Sequence, residues 1–444
     1  MSGTSNRSLV PSRPALAVGL LSLAYLTAFM DRMIISIVVD PIKAEFALSD
    51  TQIGLLTGFA YILFYAIGAI VIARFADTHC RKCIVSLAIL VWSAMTALTG
   101  IAQNFWQAFL LRMATGIGEA GIFPSGSSII SDYFPATKRA AAMAIFVSGA
   151  TVGLTVGLMF GGYLAERYGW RSAFIVVGLA GAPVALLTSL VLKEPRRGMA
   201  DNWTAFGQPQ SVIEVWKTLL GNRTYVQILF VGALLNFMIF GIIQWMPALM
   251  LRKFNLGTTE VGALFGVALG LGSAFGSIVG GFVANRLAER DNRWVLRMPL
   301  LVSFLYLPVY EFSIYAPNAT LSMLAIFVIN VVGGSSYGPV AAAMQSVVPP
   351  SMRATASAVY LCCAMLIGAG GAPLVVGALS DQLRPTMGNV GALEMALASV
   401  IVVTSIWVLV HLYLALRNFS QDAINEESTM VQVKRLKPAQ QPVR

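Results

Sequence analysis

The chain has few charged residues. Only 11% of its residues are Asp, Glu, Lys or Arg, whereas 57% are hydrophobic. Soluble domains carry roughly 25% charged residues, because a surface that faces water needs them. So little polar material cannot cover a water-exposed surface. The composition therefore excludes an ordinary soluble protein and predicts an integral membrane protein.

Metal-ligating and nucleotide-binding patterns are also missing. Neither histidine, His79 or His411, stands with carboxylates in a metal-ligand pattern. Cys80-x-x-Cys83 has the spacing of a redox or zinc site but lacks a second ligand pair. No glycine-rich loop ends in Gly-Lys-Ser/Thr, so ATP is not expected to drive the protein. We expect no metal, no cofactor and no enzymatic activity.

Long apolar runs fill most of the chain. A membrane helix needs about 20 apolar residues. Runs of this kind are found at 15–39, 51–73, 83–104, 106–131, 139–166, 170–192, 224–251, 258–286, 294–316, 319–348, 353–380 and 389–416. The sequence thus predicts an all-α membrane protein with twelve transmembrane helices in two six-helix bundles.

The connections set the predicted domain organisation. The longest of them contains Pro195 and Gly207 and is followed by a possible interfacial helix around Val212–Leu220. The predicted parts are an amino-terminal tail at 1–14, one bundle at 15–192, a linker at 193–223, a second bundle at 224–417 and a basic tail at 418–444.

Basic residues predict the orientation. Most of the 30 Lys and Arg fall in the two tails and in the even-to-odd connections, and such residues stay preferentially on the cytoplasmic side. We expect both termini to be cytoplasmic in a bacterial inner (plasma) membrane. The net charge of +10 follows from this asymmetry, so it does not indicate nucleic-acid binding. The partners expected are substrate, protons and membrane lipid, with the chain a monomer.

The two predicted bundles repeat one another. Pro124 and Pro135 are matched by Pro339 and Pro350 at one constant offset, each second proline preceding a basic loop. Two similar halves suit alternating access, in which each half moves as a rigid body about a site at their interface. The repeat indicates a secondary transporter.

Three motifs carry a family resemblance. They are Ala73-Arg74-Phe75-Ala76-Asp77-Thr78-His79-Cys80-Arg81-Lys82, Arg112-x-x-x-Gly116-x-Gly118-x-Ala120 and Gly169-Trp170-Arg171. Together they resemble the signature motifs of the major facilitator superfamily, although Ala73, Thr78 and Cys80 replace the usual Gly, Arg and Gly. The resemblance implies the major facilitator fold, with two pseudo-symmetric bundles.

Residues of the first half resemble a narrower branch. These are Asp31-Arg32, Ser49-Asp50-Thr51-Gln52-x-Gly54, Gly118-Glu119-Ala120-Gly121 and Ser131-Asp132-Tyr133-Phe134-Pro135. They are similar to bacterial members of the Spinster branch, known for sphingosine-1-phosphate and lysophospholipid transport. The resemblance implies an amphipathic, anionic substrate.

Ionisable residues inside predicted spans are costly and by default mark function. Asp31 and Arg112 lie at similar depth, and Glu119 follows Arg112 by about two turns on the same face. These three residues are predicted to couple protons to transport, with Arg112 and Glu119 also contacting substrate. Arg32 is either a substrate contact or an outer-end residue that snorkels to the interface.

The hypothesis is an exchange of partners. Burial raises a carboxyl pKa and a nearby Arg lowers it. If Arg112 leaves Asp31 or Glu119 for an anionic substrate, the released carboxylate takes up a proton. The alternative is a permanent Arg112–Asp31 ion pair that joins spans one and four.

Two further groups complete the candidate site. The predicted cytoplasmic gate consists of Asp77, Arg81, Lys82, Asp132, Arg139 and Glu194, unless these are only solvated loop charges. The predicted substrate contacts of the second half are Phe237, Trp245, Tyr337 and Tyr360, unless their role is ordinary packing.

Three functions remain open from sequence. The first is a proton-coupled transporter of a lysolipid-like or sphingosine-1-phosphate-like anion. The second is a proton symporter of a small organic anion such as a sugar acid, and the third is a non-transporting membrane receptor or scaffold.

Overall fold

A computed structural model describes residues 14–197, 199, 212–291, 293–349 and 352–436. All regular structure in these residues is helical. Residues 1–13 of the predicted amino-terminal tail, 437–444 of the basic tail and most of 198–211 in the linker lie outside them. A helix is present at Val212–Gly221, where the interfacial helix is predicted, and its interfacial position stays a prediction.

The helices of the first part of the chain follow the predicted spans. They are α1 (Pro14–Ile37), α2 (Val39–Phe46), α3 (Asp50–Gly54), a π-helical turn (Leu55–Phe59), α4 (Ala60–Thr78), α5 (Arg81–Thr99), α6 (Phe105–Glu119), α7 (Ile122–Tyr133), α8 (Ala136–Tyr168) and α9 (Trp170–Val191).

The later helices begin at the end of the linker. They are α10 (Val212–Gly221), α11 (Arg223–Phe254), α12 (Thr258–Ala288), α13 (Trp294–Tyr315), α14 (Ala319–Gly334), α15 (Tyr337–Ser346), α16 (Arg353–Cys363), a second π-helical turn (Ala364–Gly371) and α17 (Ala372–Leu436).

Ten helices in the described ranges are long and apolar enough to cross a membrane. The predicted span 106–131 is not among them; it forms α6 and α7, which are separated at Ala120 and Gly121. The last two predicted spans fall within one helical stretch, Thr355–Phe419. That stretch is kinked at Gly388, whose φ of 71° is accessible to glycine. The all-α membrane fold class is confirmed.

By their internal contacts, the residues form two compact units. Unit 1 comprises Met1–Gly207, Gly241–Gly270 and Ala369–Leu397, and unit 2 comprises Gln208–Phe240, Leu271–Gly368 and Ala398–Arg444. One end of α11, one end of α12 and the start of α17 therefore belong to the same unit as the first nine helices. The division at 15–192 and 224–417 remains a prediction.

Glycines on α8 allow close packing against α1 in unit 1. A Cβ atom on Gly157 would lie 2.7 Å from both Cα and O of Met30, and one on Gly149 would lie 3.0 Å from Ser22 Oγ. Helices in membranes gain stability when small residues let their backbones approach. Glycines at every fourth residue of α8 thus let α1, which carries Asp31 and Arg32, pack closely against it.

Unit 2 uses the same device between α12 and α14. A Cβ atom on Gly272 would lie 3.0 Å from Phe327 O, and Gly276 meets the backbone of Val331. Tyr306 of α13 is buried and lies 3.5 Å from the position of a Cβ atom on Gly333 of α14. Glycine repeats therefore explain helix packing in both units.

The start of α3 has a capping box that orients its first turn. Gln52 donates its backbone N–H to Ser49 Oγ at 3.1 Å, and Ser49 donates its backbone N–H to Gln52 Oε1 at 2.9 Å. Such a reciprocal pair satisfies backbone donors that a helix start leaves open. Asp50, the first residue after the cap, is thereby held in a fixed and buried position.

Candidate functional site

Asp31 on α1 is the acceptor of a buried ion pair. Arg112 on α6 donates from a terminal nitrogen to Asp31 Oδ2 at 3.2 Å, and Thr96 on α5 donates its hydroxyl to Asp31 Oδ1 at 2.9 Å. Asp31 and Arg112 are each only 1% exposed. Three helices thus meet at one carboxylate, whose two oxygens both have partners.

Arg32, the next residue of α1, makes a different ion pair. Its Nε donates to Glu119 Oε2 at 2.6 Å, and the Tyr61 hydroxyl donates to the same oxygen at 2.5 Å. Glu119 Oε1 is buried and has no hydrogen-bond partner among the described residues. An oxygen left in this way is costly, because a buried acceptor loses its water without gaining a protein donor.

Aromatic rings surround the Arg32 guanidinium. Its carbon lies 4.6 Å from the ring centre of Phe29, 4.9 Å from that of Tyr65 and 5.0 Å from that of Tyr61. A guanidinium over an aromatic face is attracted by the ring quadrupole. We call Phe29, Arg32, Tyr61, Tyr65 and Glu119 the Arg32 cluster.

Tyr61 connects the two ion pairs. Its ring centre is 5.2 Å from the Arg112 guanidinium carbon, while its hydroxyl bonds to Glu119. The two pairs therefore share one buried aromatic side chain.

The predicted arrangement differs from the observed one in one respect. The sequence offers Asp31 and Glu119 as partners for Arg112, and Arg112 pairs with Asp31. Glu119, however, pairs with Arg32 and not with Arg112. The Arg32 side chain is only 11% exposed, so in this structure it does not snorkel to the membrane surface.

A second charged group, which sequence reasoning missed, surrounds Asp50. The Asp50 carboxylate contacts Lys43 Nζ at 2.5 Å, Arg252 at 3.2 Å and Arg384 at 2.5 Å. The Ser380 hydroxyl donates to it at 2.8 Å. Three cations from α2, α11 and α17 thus converge on one buried acid at the start of α3.

Two more acids balance these cations. Arg252 donates to Asp40 at 2.6 Å. Asp381 accepts from the backbone N–H groups of Asp50 at 3.0 Å and Thr51 at 2.7 Å. We call the six charged residues of this group the Asp50 cluster: Asp40, Lys43, Asp50, Arg252, Asp381 and Arg384. Its three acids and three bases balance in charge. Such balance is needed because charges removed from water are costly unless they are paired.

The surroundings of Lys43 disfavour its charged ammonium form, even though Asp50 pairs with it. Burial lowers the pKa of the Lys43 ammonium below its ordinary value, although the bond to Asp50 opposes this shift. A cavity of about 370 Å³, lined by Asp40, Lys43, Arg252 and Asn389, opens beside the cluster. The Asp50 cluster is therefore partly buried and borders a cavity lined by polar side chains.

The sequence contained a partial signal for the Asp50 cluster. The Ser49-Asp50-Thr51-Gln52 capping pattern marks a fixed helix start. The partners, however, are 202 and 334 residues away, and their charges stand at span ends, where solvated residues are common.

A third charged group lies at the connection between α4 and α5. Arg81 is buried and binds Asp132, the Glu194 carboxylate at 2.8 Å and the Ser128 hydroxyl at 2.9 Å. The backbone N–H of Lys82 donates to Glu194 at 2.7 Å. We call Arg81, Asp132 and Glu194 the Arg81 cluster.

The other predicted gate residues are placed differently. Arg139 donates to the backbone carbonyls of Ser131 at 2.8 Å and Phe134 at 3.3 Å. Asp77 is exposed, and its carboxylate has no ion pair or hydrogen bond within the described ranges. The structure therefore brings the side chains of Arg81, Asp132 and Glu194 together.

The predicted substrate contacts of the second half are scattered. Trp245 is fully buried in unit 1, where its indole N–H donates to Pro373 O at 2.9 Å. Phe237 and Tyr360 are half-buried in unit 2, and Tyr337 is 47% exposed. In this structure Trp245 packs within the protein and presents no free surface to a ligand.

Side chains that could bind a metal do not cluster. No group of three or more His, Cys, Asp or Glu with suitable geometry occurs in the part of the chain that the structure describes.

Comparisons with known proteins give the family context. The Major Facilitator Superfamily model matches residues 21–373. An MFS-type efflux pump of Mycolicibacterium smegmatis is 31% identical over 420 residues, covering 94% of this chain and 96% of the pump. A probable L-galactonate transporter of Escherichia coli is 26% identical over 382 residues, covering 82% and 83% of the two chains.

A solved structure is similar along nearly the whole length. It is a bacterial homologue of the human lysosomal transporter Spinster, in an inward-facing and occupied conformation. The TM-score is 0.81 and the identity 27%, with 92% of this chain and 98% of that chain covered.

Proposed function

The chain belongs to the major facilitator superfamily of membrane transporters, and from that premise we propose that it couples proton movement to transport of an amphipathic, lysolipid-like or sphingosine-1-phosphate-like anion. It is a multi-pass membrane protein and not an enzyme. The finer proposal places it in a bacterial inner membrane as a monomer, with both termini cytoplasmic.

The observation that carries the proton coupling is the unpartnered oxygen of Glu119. A carboxylate buried with one oxygen lacking a donor gains by protonation, because the neutral acid is less costly to bury. Protonation also weakens its attraction for Arg32. Arg32 then becomes available to the anionic head of a substrate, and the proton and the substrate are linked through one guanidinium.

Asp31 and Arg112 have a related role in this proposal. Their pair is more fully buried than the Arg32 pair, and Thr96 satisfies the second oxygen of Asp31. We assign Asp31 and Arg112 to positioning Tyr61 and the proton-coupling acid, with direct partner exchange centred on Arg32 and Glu119. Phe237, Tyr337 and Tyr360 remain proposed contacts for the apolar part of the substrate.

Two charged groups serve as gates in the proposed cycle. The Asp50 cluster closes the outer side, because it ties α3 to α11 and α17 through buried ion pairs. The Arg81 cluster, with Asp77, Lys82 and Arg139 nearby in the chain, belongs to the cytoplasmic gate. The similarity to an inward-facing structure supports a closed outer cluster. In the opposite state the Asp50 ion pairs are exchanged for water.

Uptake into proteoliposomes under an imposed pH gradient tests the proposal. We expect uptake of a labelled long-chain lysolipid that depends on the gradient and is not inhibited by sugar acids. Inhibition by sugar acids but not by lysolipids supports the small-anion alternative, which the similarity to the probable L-galactonate transporter favours. Absence of flux for either class supports a receptor or scaffold that kept the fold.

A further inference from the structure

The connection between α4 and α5 contains a cysteine pair that transport does not explain. Cys80 and Cys83 form a disulfide, with their Cα atoms 5.3 Å apart. Cys80 is the N-cap of α5, and its sulfur accepts from the backbone N–H of Cys83 at 3.3 Å. Cys83 is exposed and Cys80 partly so. The pair is therefore not enclosed in the protein interior.

This pair encloses the two residues that hold Glu194. Arg81 Nε donates to Glu194 Oε1 at 2.8 Å, and the backbone N–H of Lys82 donates to Glu194 Oε2 at 2.7 Å. Cys80 Sγ lies 3.9 Å from the same Oε2 atom. A disulfide sulfur carries no proton, so this is a contact in the oxidised form. Only the reduced thiol donates a hydrogen bond there.

Glu194 lies at the start of the predicted linker, which is attached to this connection at other points as well. Arg81 donates to Pro195 O at 2.9 Å. Arg197 donates to Ala76 O at 2.7 Å and to His79 O at 2.9 Å. Residues 194–197 are thus fixed to the α4–α5 connection, and the geometry of that connection determines how firmly the linker is held.

We propose that Cys80 and Cys83 form a reversible redox site that sets the attachment of the linker. The disulfide closes a short ring around Arg81 and Lys82 and keeps both donors directed at Glu194. Reduction opens the ring. Without the ring, Arg81 and Lys82 are no longer held in one orientation toward Glu194.

The redox step requires a dithiol reductant, such as a small protein dithiol. The reductant gives two electrons and two protons to the Cys80–Cys83 bond and becomes a disulfide itself, while the protein gains two thiols. Disulfides that face the cytosol are usually transient and redox-active. The proposal therefore rests on the cytoplasmic position of this connection but is independent of the substrate.

The first test measures the thiol state without measuring transport. Full-length protein in lipid vesicles is equilibrated with glutathione buffers of different ratios, quenched with N-ethylmaleimide and weighed intact. Cys362→Ser and Cys363→Ser remove the other two thiols. We expect a reversible change between zero and two labels across the buffer series. A pair that stays reduced in oxidised glutathione, or oxidised in excess reduced glutathione, overturns the proposal.

The second test measures the consequence for the linker. Hydrogen–deuterium exchange at residues 76–83 and 192–197 is compared in the two redox states, with faster exchange by about threefold or more expected on reduction. Cys80→Ser with Cys83→Ser should exchange at the faster rate in every buffer. Glu194→Gln should do the same while its cysteines still titrate. Equal exchange in both redox states of the unmodified loop contradicts the proposed effect.

Topology is checked separately. A membrane-impermeant maleimide applied to intact cells should leave Cys80 and Cys83 unlabelled after reduction. Labelling from outside disproves the cytoplasmic orientation and with it the regulatory meaning of the pair, whereas lack of lysolipid flux affects only the proposed substrate.

Discussion

Arg32 donates from Nε to Glu119 Oε2 at 2.6 Å, joining two residues that are 87 positions apart in the chain. Asp31, the preceding residue, pairs with Arg112 instead. Two neighbouring residues of α1 thus enter two separate ion pairs, which differ in burial and in whether both carboxylate oxygens have partners. The pair with a free carboxylate oxygen is the one suited to proton exchange.

Glu119→Gln should abolish the dependence of uptake on the pH gradient. The amide keeps the size of the side chain but has no site for the coupled proton, so we expect gradient-driven uptake to fall by about tenfold or more. Exchange of substrate without a gradient should persist in part. Glu260→Gln, which changes an exposed carboxyl in the first turn of α12, is the matched control. Gradient-driven uptake that survives Glu119→Gln removes this residue from the mechanism.

Asp31→Asn should lower stability more than it lowers substrate binding. It leaves Arg112 buried without a counter-charge, a loss of about 3 kcal/mol or more. Thr96→Val, which removes one neutral donor, should cost about 1 kcal/mol. Thermal unfolding in detergent measures both. If Asp31→Asn leaves the unfolding temperature unchanged yet stops uptake, the pair exchanges partners during transport and does not brace α1 against α6.

Asp50→Asn should favour the state in which α3 is separated from α11 and α17. The substitution removes the charge that three cations share, and the loss of about 3 kcal/mol corresponds to a population shift of about a hundredfold. Spin–spin distances between labels on α2 and on the α11–α12 connection report the change. Asp291→Asn breaks an exposed pair with Arg297 and should have no effect. Unchanged distances in Asp50→Asn exclude the Asp50 cluster as a gate.

Gly157→Ala should destabilise the contact between α8 and α1. The added carbon would lie 2.7 Å from the Met30 backbone, and crowding of this kind costs about 1–3 kcal/mol. Gly19→Ala is the control, because nothing lies within 4 Å of its added carbon. The fraction of protein that stays monodisperse after heating should fall for Gly157→Ala only. Similar results for both variants would mean that the helices can move apart without loss.

Glu45 should contribute to stability in a manner that depends on pH. Arg171 and Trp170 donate hydrogen bonds to its carboxylate, which keeps the Glu45 pKa below its ordinary value. Its contribution is complete above the ordinary pKa of Glu and is lost as the pH falls through the lowered value. The difference in unfolding temperature between the natural protein and Glu45→Gln should therefore shrink on acidification. A difference that does not vary with pH argues against this ion pair.

The sequence was sufficient for the fold class and for three of the buried charges in the predicted spans. Apolar runs of spanning length give the helices, and the cost of charge in lipid singles out Asp31, Arg112 and Glu119. Both arguments use only the residues of one predicted helix at a time. They therefore do not require knowledge of how the helices are arranged in space.

Partner choice depended on that arrangement. Arg32 lies about 100° around α1 from Asp31, but α1 is surrounded by helices on several sides. Asp31 and Arg32 point to different sides of α1, and each meets a buried partner there, Arg112 and Glu119 respectively. The Asp50 cluster was missed for a similar reason, since Arg252 and Arg384 are ordinary span-end cations until α11 and α17 are placed beside α3.

The two π-helical turns have a consequence for the evolution of this chain. A Cβ on Gly58, in the first turn, would lie 3.0 Å from the Ala369 carbonyl in the second, so the two widened turns touch. Each is a local insertion in an otherwise regular helix. Deleting one residue from a π-helical turn can restore a regular α-helix in which the later side chains keep their direction. A deletion elsewhere in the helix rotates every later side chain by about 100°. The length of these two helices is thus adjustable at the point where they meet.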